Sequence, residues 1–198
     1  MEEILELDRE LFLELNSSFH NPWLDQLMMF LSTTTAWIPL YLFLLYLIIR
    51  NYRKQTWMVL LAIALTILLA DQITSTFMKP FFERLRPPHE PDLREMVTIV
   101  DQYRGGKYGF ASSHAANTFG VATLMWLVLK MYRPWIALLF LWTAFVGYTR
   151  IYLGVHYPAD ILVGFFVGFL SALASYFLWS FLRNYFSKGV SLRRPDDQ

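Results

Sequence analysis

Cysteine is absent from the 198 residues, and with it go disulfides, thiolate metal sites and a Cys nucleophile. Charge is scarce too. Asp, Glu, Lys and Arg make up 17% of the chain and nearly cancel, with 17 basic against 16 acidic residues. That balance hides an uneven distribution and says nothing by itself about nucleic acid or anionic lipid; no nucleic-acid partner is expected. The opening Met1-Glu2-Glu3-Ile4-Leu5-Glu6 is acidic where a secretory leader is basic, so no cleaved signal is expected. There is no internal repeat and no low-complexity tract. What the chain has instead is apolar surface: 56% of its residues are hydrophobic and its mean hydropathy is +0.35, above the range of soluble domains. It is expected to be a membrane protein, with residues 1–198 forming one membrane-embedded domain.

Apolar runs long enough to span a bilayer lie at Trp37–Ile49 (extendable back toward Leu27), Trp57–Met78, Ala115–Met131, Trp135–Leu153 and Ile161–Leu182. The fold class expected is all-α, a polytopic membrane helix bundle of about five transmembrane helices. Basic residues set its orientation. Arg50, Arg53, Lys54, Lys130, Arg133, Arg183, Lys188, Arg193 and Arg194 fall in alternate connections and in the tail, which the positive-inside rule assigns to the cytoplasm. The loop at 79–114 is then external, and 184–198 is a cytoplasmic tail. Localisation in the plasma (inner) membrane, with the site facing outward, follows. Within residues 1–33, Ile4, Leu7, Leu11 and Leu15 recur at helical spacing among acidic residues. They read as an amphipathic interfacial helix or as a solvated helix packed on the external loop.

Three polar clusters emerge on one side of the membrane in this topology. They are Lys79 to Pro87 after the second span, Ala111-Ser112-Ser113-His114 before the third, and Arg150 to Asp160 between the fourth and fifth. Ionisable groups at the ends of apolar helices are costly and tend to be paired and functional. Lys79, Arg86 and Arg150 supply cations suited to a phosphoryl group, whose transfer is governed by positioning and charge. Ser112 and Ser113 precede a helix, so their hydroxyls and the N–H groups of the first turn can donate to the same anion. Without Cys, the candidate nucleophiles are Ser112, Ser113, His114 and His156. His156 has the better supporting partner, because Asp160 lies four residues on, within reach of its imidazole.

These clusters resemble the type 2 phosphatidic acid phosphatase family, membrane lipid phosphatases sharing their core with bacterial acid phosphatases and vanadium haloperoxidases. The family pattern is K-x6-R-P, P-S-G-H and S-R-x5-H-x3-D. Lys79 with Arg86-Pro87 matches the first element. Ser112 and His114 match the second, with Ala111 and Ser113 at the positions usually held by Pro and Gly. Arg150, His156 and Asp160 match the third, with Thr149 replacing Ser. The resemblance implies that His156 attacks phosphorus, Asp160 orients it, and His114 protonates the leaving oxygen and then activates water. It implies a phosphate site of Lys79, Arg86, Ser112, Ser113 and Arg150, and metal-independent removal of phosphate from a membrane lipid phosphate or pyrophosphate. Polyprenyl pyrophosphate, phosphatidate and phosphatidylglycerol phosphate all suit it, with a lean toward the first. No cofactor or metal is expected, and oligomeric state is not legible. The competing class is a noncatalytic lipid-phosphate binder or transporter, which would need the cations but not His156 and Asp160.

Among the remaining polar residues, Asp71 and Ser75 share the helical face that leads to Lys79, as supports of the site or as packing. Arg84 and Lys107 read as solvated loop charge, ahead of a role in touching substrate. His20 and His89 fall outside the clusters and read as structural, and the many Trp, Tyr and Phe residues as an interfacial belt.

Overall fold

The computed structural model describes residues 2–191, with side chains described through residue 185. The helices are α1 (Glu2–Ser17), α2 (Pro22–Leu31), α3 (Ile38–Tyr52), α4 (Thr56–Asp71), α5 (Lys79–Phe82), α6 (Ser113–Leu129), α7 (Leu139–Tyr152) and α8 (Pro158–Ser191). Each apolar run folds as a helix, and the chain is an all-α membrane bundle. Thr34–Phe82, Pro134–Tyr152 and Pro158–Tyr185 are each long and apolar enough to cross a membrane. The first of these breaks at Arg53, whose φ of 47° ends α3 before α4 begins. The first run does not extend back to Leu27: α2 stops at Leu31, and α3 starts afresh at Ile38. Residues 192–198 of the expected tail lie outside the described residues.

α6 is the central helix, packed against α4, α7 and α8. Its closest neighbour is α8, and small residues explain the approach. A Cβ built at Gly168 would meet Ala116 O at 2.2 Å, and one at Gly164 would meet Ser112 O at 2.6 Å. Large side chains here would force the two backbones apart, so small residues hold these crossings close in the bilayer. Toward one end of the bundle the core is Val59, Leu124, Met125, Leu129 and Trp179. Leu68, Leu141, Leu162 and Phe166 point outward, an exposure that a lipid surround explains.

α4 runs into α5 through a π-helical stretch, Gln72–Met78. This wider turn comes just before Pro80, which has no N–H to return to the preceding turn. Such turns are rare and cluster at functional sites.

α1 and α2 cover the other end. α1 buries Asp8, Phe12 and Asn16, spaced by four, while Ile4, Leu7 and Leu11 stay exposed. The helix therefore packs on the loop with one stripe and leaves its apolar stripe uncovered. Asn16 explains part of that choice: its Nδ2 donates to the carbonyls of Ile151 and Tyr152, in the last turn of α7, and to Thr98 O, while its Oδ1 accepts from Thr98 N. Orphan carbonyls at a helix end need such partners. Phe12 joins Leu93, Val97, Ile151 and Tyr157 in a second core beneath the loop.

Candidate active site

The three clusters meet where α5, α6 and α8 end at the loop. α6 opens on Ser112, which is fully buried; its Oγ accepts from Ala115 N and its own N donates to Asp160 O at 3.0 Å. One backbone bond thus fastens the start of α6 to the start of α8. Ser113 Oγ accepts from Lys79 Nζ at 2.7 Å and lies 2.9 Å from both Thr74 Oγ1 and Ser75 Oγ. Ser75 in turn donates to Asp71 at 3.2 Å and accepts from Lys79 at 3.3 Å. Asp71, Ser75 and Lys79 therefore form a continuous file ending at Ser113.

α7 delivers Arg150, only 2% exposed, and the chain then turns sharply to His156. The turn requires Gly154, whose φ is +74° and where a Cβ would meet Thr98 O at 2.8 Å. Arg150 donates to Ser32 Oγ and to Tyr103 OH, and its Nε is buried with no partner among the described residues. Arg86 donates through Nε to Tyr108 O at 3.1 Å and is 8% exposed. Burial first, and the Arg150 charge second, hold Arg86 below its ordinary pKa. Two buried guanidiniums with no carboxylate hydrogen-bonded to either among the described residues leave positive potential that an anion would relieve.

His156 is 1% exposed; its Nδ1 lies 3.2 Å from Asp160 Oδ2, which also accepts from Tyr157 N at 3.1 Å. Asp160 has no exposed surface. Gly109 closes the other side: its carbonyl bonds to His156, and a Cβ there would come within 3.1 Å of Asp160 Oδ2. With the Asp160 carboxylate on Nδ1, the proton sits there and Nε2 keeps its lone pair. Burial, then the charges of Arg86, Arg150 and Lys79, hold the His156 pKa well below its ordinary 6.5. The ring is neutral near pH 7, the state a nucleophile needs.

His114, one residue into α6, is exposed at the mouth of a cavity between α3, α4, α6 and α7. Desolvation by the surrounding protein first, then the charges of Arg150, His156, Arg86 and Lys79, lower its pKa from 6.5 to about 3. Among the described residues, no group of three or more His, Asp and Glu side chains is arranged to hold a metal ion.

Arg84 is not the solvated loop charge expected of it. Its two terminal nitrogens donate to Asp160 Oδ1 at 3.1 Å and Asp8 Oδ2 at 2.6 Å, and its guanidinium stacks 4.0 Å from the Tyr157 ring. Asp8 Oδ1 accepts from Ala159 N at 2.8 Å, so α1 reaches the base of the His156–Asp160 pair. The placement of Arg84 at the same helix end as Lys79 and Arg86 was a readable signal. Nothing local marks Asp8, Ser32, Tyr103 or Gly109. His20 is structural: it bonds Asp25 and Asn16 O and stacks on Tyr152 at 4.2 Å.

The family model described as the PAP2 superfamily matches residues 60–184. A lipid A 4'-phosphatase of Bacteroides thetaiotaomicron is 36% identical over 90% of this chain and 79% of its own length. A lipid A 4'-phosphatase of Porphyromonas gingivalis is 37% identical over 93% of this chain and 78% of its own. The crystal structure of a transmembrane PAP2 type phosphatidylglycerolphosphate phosphatase from Bacillus subtilis superposes with a TM-score of 0.63 at 21% identity, covering 98% of this chain and 90% of that one, and shares the fold.

Proposed function

The chain belongs to the PAP2 superfamily and is a membrane lipid phosphatase, and on that premise we propose that it hydrolyses an acylated lipid phosphate through a phosphohistidine on His156. The observation that carries the reading is the buried His156–Asp160 hydrogen bond, beside Arg86 and Arg150, which have no carboxylate hydrogen-bonded to them among the described residues. A binder or transporter has no need of that pair.

Phosphate enters among Lys79, Arg86 and Arg150 and the first-turn N–H groups of α6, with Ser113 Oγ beside Lys79. His156 Nε2 attacks phosphorus as its Nδ1–H is held by Asp160; a P–N bond forms as the P–O bond to the lipid breaks. His114, which takes up a proton once the bound phosphate offsets the Arg150, Arg86 and Lys79 charges around it, gives that proton to the leaving oxygen. Water then attacks the phosphohistidine, giving its proton to His114, and the P–N bond breaks to release phosphate and neutral His156. The fixed cations stabilise the charge on the equatorial oxygens in both steps. They also take the place that divalent ions hold in two-metal phosphatases, so activity is expected to survive excess chelator.

The sequence leans toward polyprenyl pyrophosphate, but the names of the relatives at 36% and 37% identity favour an acylated sugar phosphate of the lipid A kind. We place the site on the external face of the inner membrane, within a single domain of residues 1–198. Rapid-quench labelling with substrate carrying radioactive phosphorus tests the mechanism. An acid-labile, alkali-stable label is expected on the wild type and on His114→Ala, and none on His156→Ala. Normal turnover by His156→Ala would end the proposal.

A further inference from the structure

The cavity at His114, about 550 Å³, runs from the site into the bundle, and its wall is not uniformly apolar. Asn117 lies three residues beyond His114 on α6, about 4.5 Å further along the helix axis. Its Oδ1 is buried and has no partner among the described residues. Asp71, on the facing side of α4, lines the same cavity. Both are acceptors. Trp142 on α7 also lines it, and its buried Nε1 is likewise unpartnered, a donor in search of an acceptor. The rest of the wall includes Leu44, Ile48, Ile63, Ile67 and Met125.

A buried polar group without a partner is costly, and such groups point to a ligand that satisfies them. We infer that this cavity is a subsite for the backbone joining the phosphate to its acyl chains, and that Asn117 with Asp71 selects lipid phosphates carrying hydroxyl or amide N–H donors close to phosphorus. Trp142 Nε1 takes an ester or amide carbonyl, and the apolar floor takes the start of a chain. A polyprenyl phosphate is hydrocarbon from its first carbon onward. In this cavity it would leave Asn117 Oδ1 and Trp142 Nε1 still without a partner and set Asp71 against methylene groups. Sites built to hydrogen-bond a substrate discriminate strongly against analogues that lack the group. The inference rests on the proposed lipid phosphatase reading and names the chemical class of its substrate.

The test is the ratio of kcat/KM for an N-acyl, O-acyl glucosamine 4-phosphate to that for farnesyl phosphate, measured in detergent. For the wild type the ratio favours the acylated sugar. In Asn117→Leu it is expected to fall by about tenfold or more. Trp142→Phe keeps the ring and removes the donor; it guards against a misfolded first variant and is expected to lower the ratio several-fold. Ratios unchanged in both variants, whether the rates are normal or depressed equally on the two substrates, would overturn the inference. Labelling of His156 separates the two readings. Label retained with an unchanged ratio removes the subsite alone, whereas label absent with a shifted ratio removes the phosphohistidine and keeps the subsite.

Discussion

Asp160 carries the heaviest demand on any side chain of the site, a carboxylate with no exposed surface that must serve His156. Arg84 meets one of its oxygens and Asp8 shares that arginine, so three charges are held as a unit. Removing the cation leaves two buried carboxylates uncompensated, and Arg84→Leu is expected to cost about 3–5 kcal/mol of stability. Asp8→Asn removes one charge-assisted hydrogen bond and should lower kcat/KM by about tenfold. Combined in one chain the two changes should cost less than their sum, because the second carboxylate no longer needs a partner. Strict additivity of unfolding free energies in that cycle would show that the three do not act together. Acid sensitivity belongs to this scale as well. The folded His156 pKa is depressed below 6.5, so the unfolded chain takes up that proton first. Stability from the neutral ring is present above about pH 6.5 and is lost as pH falls below it. For the same reason the acid limb of kcat/KM assigned to His156 should lie below pH 6.5 and move upward in Arg86→Gln, which removes a positive neighbour. A limb that stays in place would mean that Arg86 exerts no field on the ring.

Among the elements, the pair α6 and α8 decides the geometry, since one carries Ser113 and His114 and the other carries Asp160 at its first turn. Their separation is fixed by Gly164 and Gly168, not by the reacting groups. At Gly168 the atoms an added Cβ would strike are backbone, which cannot rotate away. Gly168→Ala is therefore expected to destabilise by about 1–3 kcal/mol, as overpacking does. Gly164→Val, next to Ser112 O and Ala115, should depress kcat more than it depresses Tm, because it shifts the α6 start relative to Asp160. Thermal unfolding and turnover measured on the same detergent samples would decide. A Gly164→Val enzyme of normal kcat would show that the site tolerates movement of that helix end.

For the whole molecule the question is which way it faces. Basic residues gather in the connections around Arg53 and Arg133, and the loop that carries Arg86 lies opposite. The chain has no cysteine of its own, so single replacements report cleanly. An impermeant thiol reagent added to intact cells should modify Asp92→Cys and spare Lys54→Cys. The reverse pattern would place the site in the cytoplasm and change which leaflet supplies substrate. The uncovered stripe of Ile4, Leu7 and Leu11 on α1 sits at the same end as the site, where a lipid phosphate headgroup would lie.

The sequence alone determined the all-α membrane bundle, because a helix that must bury its backbone in lipid is written as a continuous apolar run. It also set out Lys79, Arg86, Ser112, Ser113, His114, Arg150, His156 and Asp160 as candidates, since cations and histidines at the ends of such runs stand out against apolar neighbours. His156 and Asp160 are four apart, so their contact was a matter of local geometry. Tertiary structure decided what depends on distance in space. Asp8 reaches Ala159 across 151 positions, and Arg150 reaches Ser32 across 118; no periodicity records either contact. The place of Arg84 beside Lys79 and Arg86 hinted at the site, but nothing in it says which carboxylates the fold will bring to that arginine. The cavity at Asn117 is of the same kind, a space defined by four helices at once. Periodicity reports the faces of one helix, and a void between helices exists only after they have packed.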